Sequence, residues 1–254
     1  MALALSTDRG GVMARKPDAI AKGAADRLED LLAARCRRTP LQYLTRTVEF
    51  FGLELETAPG VLIPRPETEG LVEAVLELDL PADARVADLG TGSGCIAIAL
   101  ASLRPGWRVT AIDASEAALA NAGRNAARHH VAERVELVRR DFTFVPDAER
   151  RTYHAVVSNP PYVAEAEWEG LEPEVRDHEP RVALVPGPNG NEAYEAIAAA
   201  APLLLAPRGR IALELGWKSE DAVRRLVAQA GFAAIAVHPD LAGIPRVLTA
   251  QAVS

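Results

Sequence analysis

The chain has 254 residues, of which 49% are apolar and 25% charged, enough for one large domain, or one domain with a small appendage, around a sizeable core. A formal net charge of −7 weighs against a protein whose main task is gripping nucleic-acid phosphates. Cys36 and Cys95 are too few and too far apart for a disulfide framework or a zinc site, the five histidines lack metal-ligand spacing, and no apolar run has membrane-spanning length. A cytoplasmic protein without a metal is therefore expected. The opening MALAL lacks the basic region and length of a signal peptide.

STDRGG (6–11) is expected to be disordered, and Met13 is a second candidate start. From Asp18 to about Arg37, Ile20, Ala24, Leu28, Leu31 and Leu32 recur at helical spacing. That predicts one amphipathic helix, or two short ones, ending before Pro40. VEFFGLELETAPGVLI (48–63) carries β-branched and aromatic residues around Gly52, then a Pro-Gly pair, and predicts a hairpin with turns. In IPRPETE (63–69), Pro66 is placed to begin a helix through LVEAVLEL. A regular alternation follows. Strands are predicted at 85–89, 108–113, 135–141, 153–159, 210–215 and 232–238, and helices at 93–103, 115–128, 191–205 and 219–231. Such alternation predicts a mostly parallel sheet with helices on both faces, which binds ligands beyond the carboxyl ends of its strands.

ADLGTGSG (87–94) places Gly90, Gly92 and Gly94, interleaved with Thr91 and Ser93, between the first of these strands and its helix. A tight turn needs one glycine, whereas three at alternate positions point to close approach of a ligand. Cys95 stands where a dinucleotide fingerprint requires glycine, and no P-loop lysine follows. Asp113 ends the next strand, nineteen residues after Gly94. Its carboxylate suits both ribose hydroxyls of an adenosine; equally, it or Ser115 suits a helix N-cap. Asp141 is placed to meet an adenine amine and Phe142 to cover the base. Adenosine without a long phosphate tail points to S-adenosylmethionine.

SNPPYV (158–163) ends another strand, and its two prolines fix φ twice and remove two donors. The segment is either a strand-ending turn or a rigid mount for an amide side chain and a row of carbonyls. Taken together, ADLGTGSG, AID, RDF and SNPPYV resemble a class I S-adenosylmethionine-dependent methyltransferase acting on an amino group attached to a planar system. With PLQYL, EFFGL, VLIPRPETE, EPRVAL, ELGWKSEDAVRRLVAQAGF and DLAGIPRV, the chain from about Pro40 to Val247 resembles the peptide-chain release factor glutamine methyltransferase family. The family usually carries a small helical domain before PLQYL; here that segment is short, and VPGPNG (185–190) is a loose form of its Gly-rich stretch.

The resemblance implies a Rossmann-like class I fold in which a mostly parallel twisted sheet follows a short helical segment and a β-hairpin. Residues 1–42 would form the reduced docking segment, with 1–12 disordered, residues 43–70 the hairpin and linker, and 71–254 the methyltransferase domain. Gly90, Thr91, Gly92, Ser93, Gly94, Asp113, Asp141, Phe142 and Asn159 would bind the cofactor. Asn159, Pro160, Pro161 and Tyr162 would be catalytic, and the same four with Arg65, Pro66 and Glu67 would meet the substrate. That substrate is expected to be a bacterial release factor, met by a monomer without direct nucleic-acid or membrane binding. The acidic run EAEWEGLEPEVRDHE (165–179) reads as a solvated loop or helix face that repels phosphate. Rival readings are an amino-methyltransferase on DNA or RNA bases, a glutamine methyltransferase on a ribosomal protein, and a non-catalytic adenosine-binding scaffold.

Overall fold

Short elements tied down largely by side chains lead into the sheet. The computed structural model describes residues 1–7, 9–14 and 20–253. It opens with α1 (Arg9–Ala14) and α2 (Lys22–Cys36); the predicted helix start at Asp18 lies outside the described residues. Within the stretch expected to be disordered, residues 1–7 contain a turn and α1 begins at Arg9. Ala4 is buried there, and its carbonyl accepts from the Arg27 guanidinium of α2 at 2.7 and 3.3 Å. The apolar stripe of α2 buries little: Ile20, just before the helix, and Leu32 are exposed, and Ala24 is its one buried residue. Charge holds it instead. Arg35 and Arg38 reach Glu174 at 3.2 and 2.7 Å, so the acidic run is partly a docking strip for α2 and not only a solvated face.

Next come α3 (Leu41–Thr45) and the antiparallel hairpin β1 (Thr47–Phe50) and β2 (Leu53–Glu56). The hairpin ends earlier than predicted and leans on a later helix, where Asn125 accepts from the Glu56 amide at 2.7 Å and donates to the Glu56 carbonyl at 3.1 Å. A single 3₁₀ turn, Pro66–Thr68, leads into α4 (Glu69–Leu76), with Pro66 at the start as predicted.

The remaining elements alternate: β3 (Arg85–Leu89), α5 (Cys95–Leu103), β4 (Arg108–Asp113), α6 (Glu116–Arg128), β5 (Val135–Arg139) and β6 (Tyr153–Ser158). After the short α7 (Pro173–Arg176) come α8 (Glu192–Leu204), β7 (Leu205–Glu214), α9 (Glu220–Gln229), β8 (Phe232–Pro239) and β9 (Pro245–Ala252). Seven strands form one sheet in the order β5-β4-β3-β6-β7-β9-β8. The first five are mutually parallel, and β9 runs antiparallel to both its neighbours.

Strand alternation divides the core. Val86, Ala155, Val157 and Ala212 face the layer of α4 and α5, while Ala87, Val156, Ile211 and Leu213 face that of α8 and α9. α5 is apolar all round and buried from Cys95 to Ala101, as a helix with no solvent face must be. Chain order reverses at β3, with β4 on one side and β6 on the other, so the switch-point crevice opens between the ends of β3 and β6.

Candidate active site

Beyond the carboxyl ends of β3 and β4 the backbone makes a cradle. Gly90 and Gly92 have φ of 73° and 56°, and a side chain on either would point into open space. Gly94 differs. A Cβ there would sit 2.9 Å from the Ala122 Cβ and 3.0 Å from the Ile98 Cδ1, so this glycine lets α5 and α6 close on each other. Gly90 and Gly92 line the cavity, and Gly94 closes the helices behind it.

Asp113 anchors the cradle, its two oxygens accepting from the Gly92 amide at 2.9 Å and the Ser115 amide at 2.8 Å. The N-cap proper is Ser115, whose hydroxyl accepts from the Ala118 amide at 3.2 Å. Beneath the loop lies fully buried Asp88, which accepts from the Thr91 hydroxyl at 2.6 Å. Burial pushes its carboxyl up to about 7, with the nearby Asp113 charge acting in the same direction. Across the crevice the buried Ser158 hydroxyl donates to the Leu89 carbonyl at 2.6 Å, tying the ends of β3 and β6 together.

The cradle forms one wall of a cavity of about 450 Å³. Thr91, Ser93, Asp113, Asp141, Phe142 and Asn159 line it with Gly90 and Gly92. The loop bearing Asp141 and Phe142 is braced by Arg140, which pairs with Glu149 through two bonds of 2.5 and 2.6 Å, while the Tyr153 hydroxyl donates to the same carboxylate. Cys95 also lines the cavity, but burial pushes its thiol up to about 12 and keeps it an apolar neighbour.

Asn159 and Pro161 stand between this cavity and an adjoining recess of about 30 Å³ lined also by Pro160, Tyr162 and Arg65. Asn159 Nδ2 donates to the Thr68 hydroxyl at 2.9 Å. Tyr162 lies flat on Gly216, where a Cβ would come within 2.7 Å of its ring, so glycine is required for the ring to sit there. Behind them Glu214 is buried at the end of β7 with Thr68 beside it; burial pushes its carboxyl up to about 7.

The IPRPETE segment roofs the cavity. Glu179 is the keystone: its carboxylate accepts from the Ile63 amide at 3.1 Å and pairs with Arg65 at 2.5 Å, its side chain only 2% exposed. Buried Tyr43 of α3 donates to the Val61 carbonyl at 2.7 Å, which explains what PLQYL does. Arg65 lines both cavities, whereas Pro66 and Glu67 line neither and serve as the start of the short helical turn. Thr68, Asp88, Glu179 and Glu214 were missed from sequence. A carboxylate set in an apolar strand, as in VADL or IALEL, was the available signal for two of them.

Among the described residues no group of His, Cys, Asp or Glu could hold a metal, and no helix is long and apolar enough to cross a membrane. The methyltransferase small domain family matches residues 67–171. A release factor glutamine methyltransferase from Cereibacter sphaeroides is 44% identical over 252 residues, covering 99% of this chain and 88% of that protein. One from Nitratidesulfovibrio vulgaris is 42% identical over 251 residues, covering 98% and 84%. A solved methyltransferase from Pyrococcus furiosus shares the fold, with a TM-score of 0.59 at 19% identity over 89% of this chain and 98% of that one. With such identity over nearly its whole length, the chain belongs to the release factor glutamine methyltransferase family.

Proposed function

We propose that this protein transfers a methyl group from S-adenosylmethionine to the side-chain amide nitrogen of the glutamine in the Gly-Gly-Gln loop of a bacterial peptide-chain release factor. The observation that carries this reading is the state of Asn159. Its nitrogen is committed to Thr68, which leaves its oxygen for an incoming amide hydrogen where the large cavity meets the small recess.

The cavity suits the cofactor in size and in chemistry. About 450 Å³ is within the range of small-molecule sites. The Asp113 carboxylate, after accepting from two backbone amides, keeps lone pairs for ribose hydroxyls. Asp141 and Phe142 line the same cavity, one for the adenine amine and one for the base face. S-adenosylmethionine bound there supplies an electrophilic methyl group on a sulfonium.

An amide nitrogen is a poor nucleophile because its lone pair is delocalised into the carbonyl. Catalysis by this chain is therefore a matter of geometry. Asn159 Oδ1 and the Pro160 carbonyl accept the two amide hydrogens and hold the nitrogen with its π face towards the methyl donor. The same two acceptors stabilise positive charge developing on nitrogen. Pro160 and Pro161 keep them still, and the Tyr162 ring, immobilised on Gly216, gives the planar amide a wall. The proton leaves after methyl transfer, when the nitrogen is far more acidic. Residues 1–42 take part in docking the release factor, with α2 held against the acidic run beside the NPPY loop.

The test is methyl transfer from labelled cofactor to a purified release factor, a ribosomal protein and DNA, side by side. Label should enter the release factor alone and be lost when its Gly-Gly-Gln glutamine is replaced. Comparable labelling of the ribosomal protein or DNA would overturn the substrate assignment.

A further inference from the structure

Three segments far apart in sequence meet behind Asn159. Glu214, at the end of β7, is 1% exposed, and its Oε2 has no hydrogen-bond partner among the described residues. Thr68, also 1% exposed, lies beside that carboxylate and accepts from Asn159 Nδ2 at 2.9 Å. A hydroxyl has one proton to give. Thr68 already accepts from Asn159, so its proton goes to Glu214. Were the Asn159 amide turned over, its oxygen would need that same proton and the carboxylate would lose its donor. An unpaired buried charge is far more costly than a lost neutral bond.

We infer that Thr68 and Glu214 are positioning residues that fix which end of the Asn159 amide faces the substrate. Neither touches the reacting atoms, and their role in turnover rests on the methyl-transfer reading above. Ionised Glu214 accepts from Thr68 and keeps the Asn159 oxygen turned outward. Protonated Glu214 can donate to Thr68, which can then donate to Asn159, and the preference reverses. The groups facing Glu214 are Thr68, Glu67 and Arg65 from the roof, Arg246 from β9, Tyr162 from the NPPY loop, Tyr194 from α8 and Cys95 from α5. Burial is the largest influence on its titration and raises it, Glu67 acts in the same direction, and Thr68, Arg246 and Arg65 oppose it. The orientation is therefore held above about pH 7 and released as the pH falls through that value.

The test has two arms. In the free enzyme, the side-chain amide resonance of ¹⁵N-labelled Asn159, assigned with Asn159→Ala, is followed from about pH 5.5 to 8.5, a window bracketing the burial-raised pKa. It should titrate in the wild type and be flat in Glu214→Gln and in Thr68→Val. In turnover, Thr68→Val should lower kcat about ten- to a hundredfold with S-adenosylmethionine affinity unchanged, and Thr68→Ser should restore all but about threefold. A wild-type resonance that ignores pH overturns the inference, even if the variants fail to fold. Equal losses in Thr68→Ser and Thr68→Val overturn it too, because the methyl group would then be what matters. A titrating resonance in an enzyme that leaves release factor unmethylated upholds the inference and sinks only the proposed substrate.

Discussion

The two halves of the site use a similar device at different sequence distances: a buried carboxylate set beside a threonine. Under the glycine cradle, Asp88 and Thr91 are three residues apart and belong to one strand and its own loop. At the NPPY loop, Asn159 and Thr68 are 91 residues apart, and Glu214 comes from a third segment. The cradle can form once β3, β4 and their loops are in place. The Asn159 mount exists only when β6, β7 and the roof segment have come together. A local device tolerates distant change, whereas a distributed one reports on the whole sheet.

Four measurements can break or sharpen this contrast. Asn159→Ala should have the largest effect, lowering turnover by about two to three decades while S-adenosylmethionine affinity stays nearly unchanged. Wild-type methylation of a release factor by that variant would reduce NPPY to a turn. Asp88→Asn tests the local device through pH. Its folded carboxyl is raised to about 7 from an ordinary value of 3.8, so the folded state holds the proton more tightly than the unfolded chain. The stabilising contribution is complete below about pH 4 and is lost as the pH rises through about 7. Asp88→Asn should therefore gain on the wild type by on the order of 4 kcal/mol between about pH 4 and 8 in urea unfolding. A constant difference across that range would show that Asp88 stays ionised.

Asp113→Ala should weaken S-adenosylmethionine binding by about one to two decades, since hydrogen bonds to a charged group are worth about 1.5–3 kcal/mol. Calorimetry showing unchanged affinity would leave Asp113 only its bonds to the Gly92 and Ser115 amides. The smallest effect belongs to the amino-terminal segment, held through solvent-screened ion pairs with Glu174. Deleting residues 1–38 should raise KM for a whole release factor about three- to tenfold and leave KM for a short Gly-Gly-Gln peptide alone. Equal changes for both substrates would mean that the segment supports the fold and does not dock the partner.

Legibility in the sequence followed the same division. RVADL and RVTAID match β3 and β4 residue for residue, because a short, nearly continuous apolar run with a turn signal beyond it marks a buried strand and its end. The cradle residues, Asp113 and NPPY were visible as local patterns. Thr68 was not, and although a carboxylate in IALEL marks Glu214 as unusual, nothing near either residue tells of a partner so far along the chain. The acidic run was taken for a solvated face because charge runs usually are, yet Glu179 at its end is buried and holds the roof. PRVLTAQA was not assigned as a strand, since it opens on proline and has few β-branched residues; Pro245 is tolerated as its first residue.

The place of β9 in the sheet sets an order on folding. It lies between β7 and β8, although β8 comes earlier in the chain. As the polypeptide leaves the ribosome, β8 emerges with no strand to pair with, and β7 keeps an open edge until residues 245–252 follow. Those two edges expose unpaired amides and carbonyls during the interval, when a nascent chain is most prone to wrong pairing. A strand made after both of its neighbours thus closes the sheet from within.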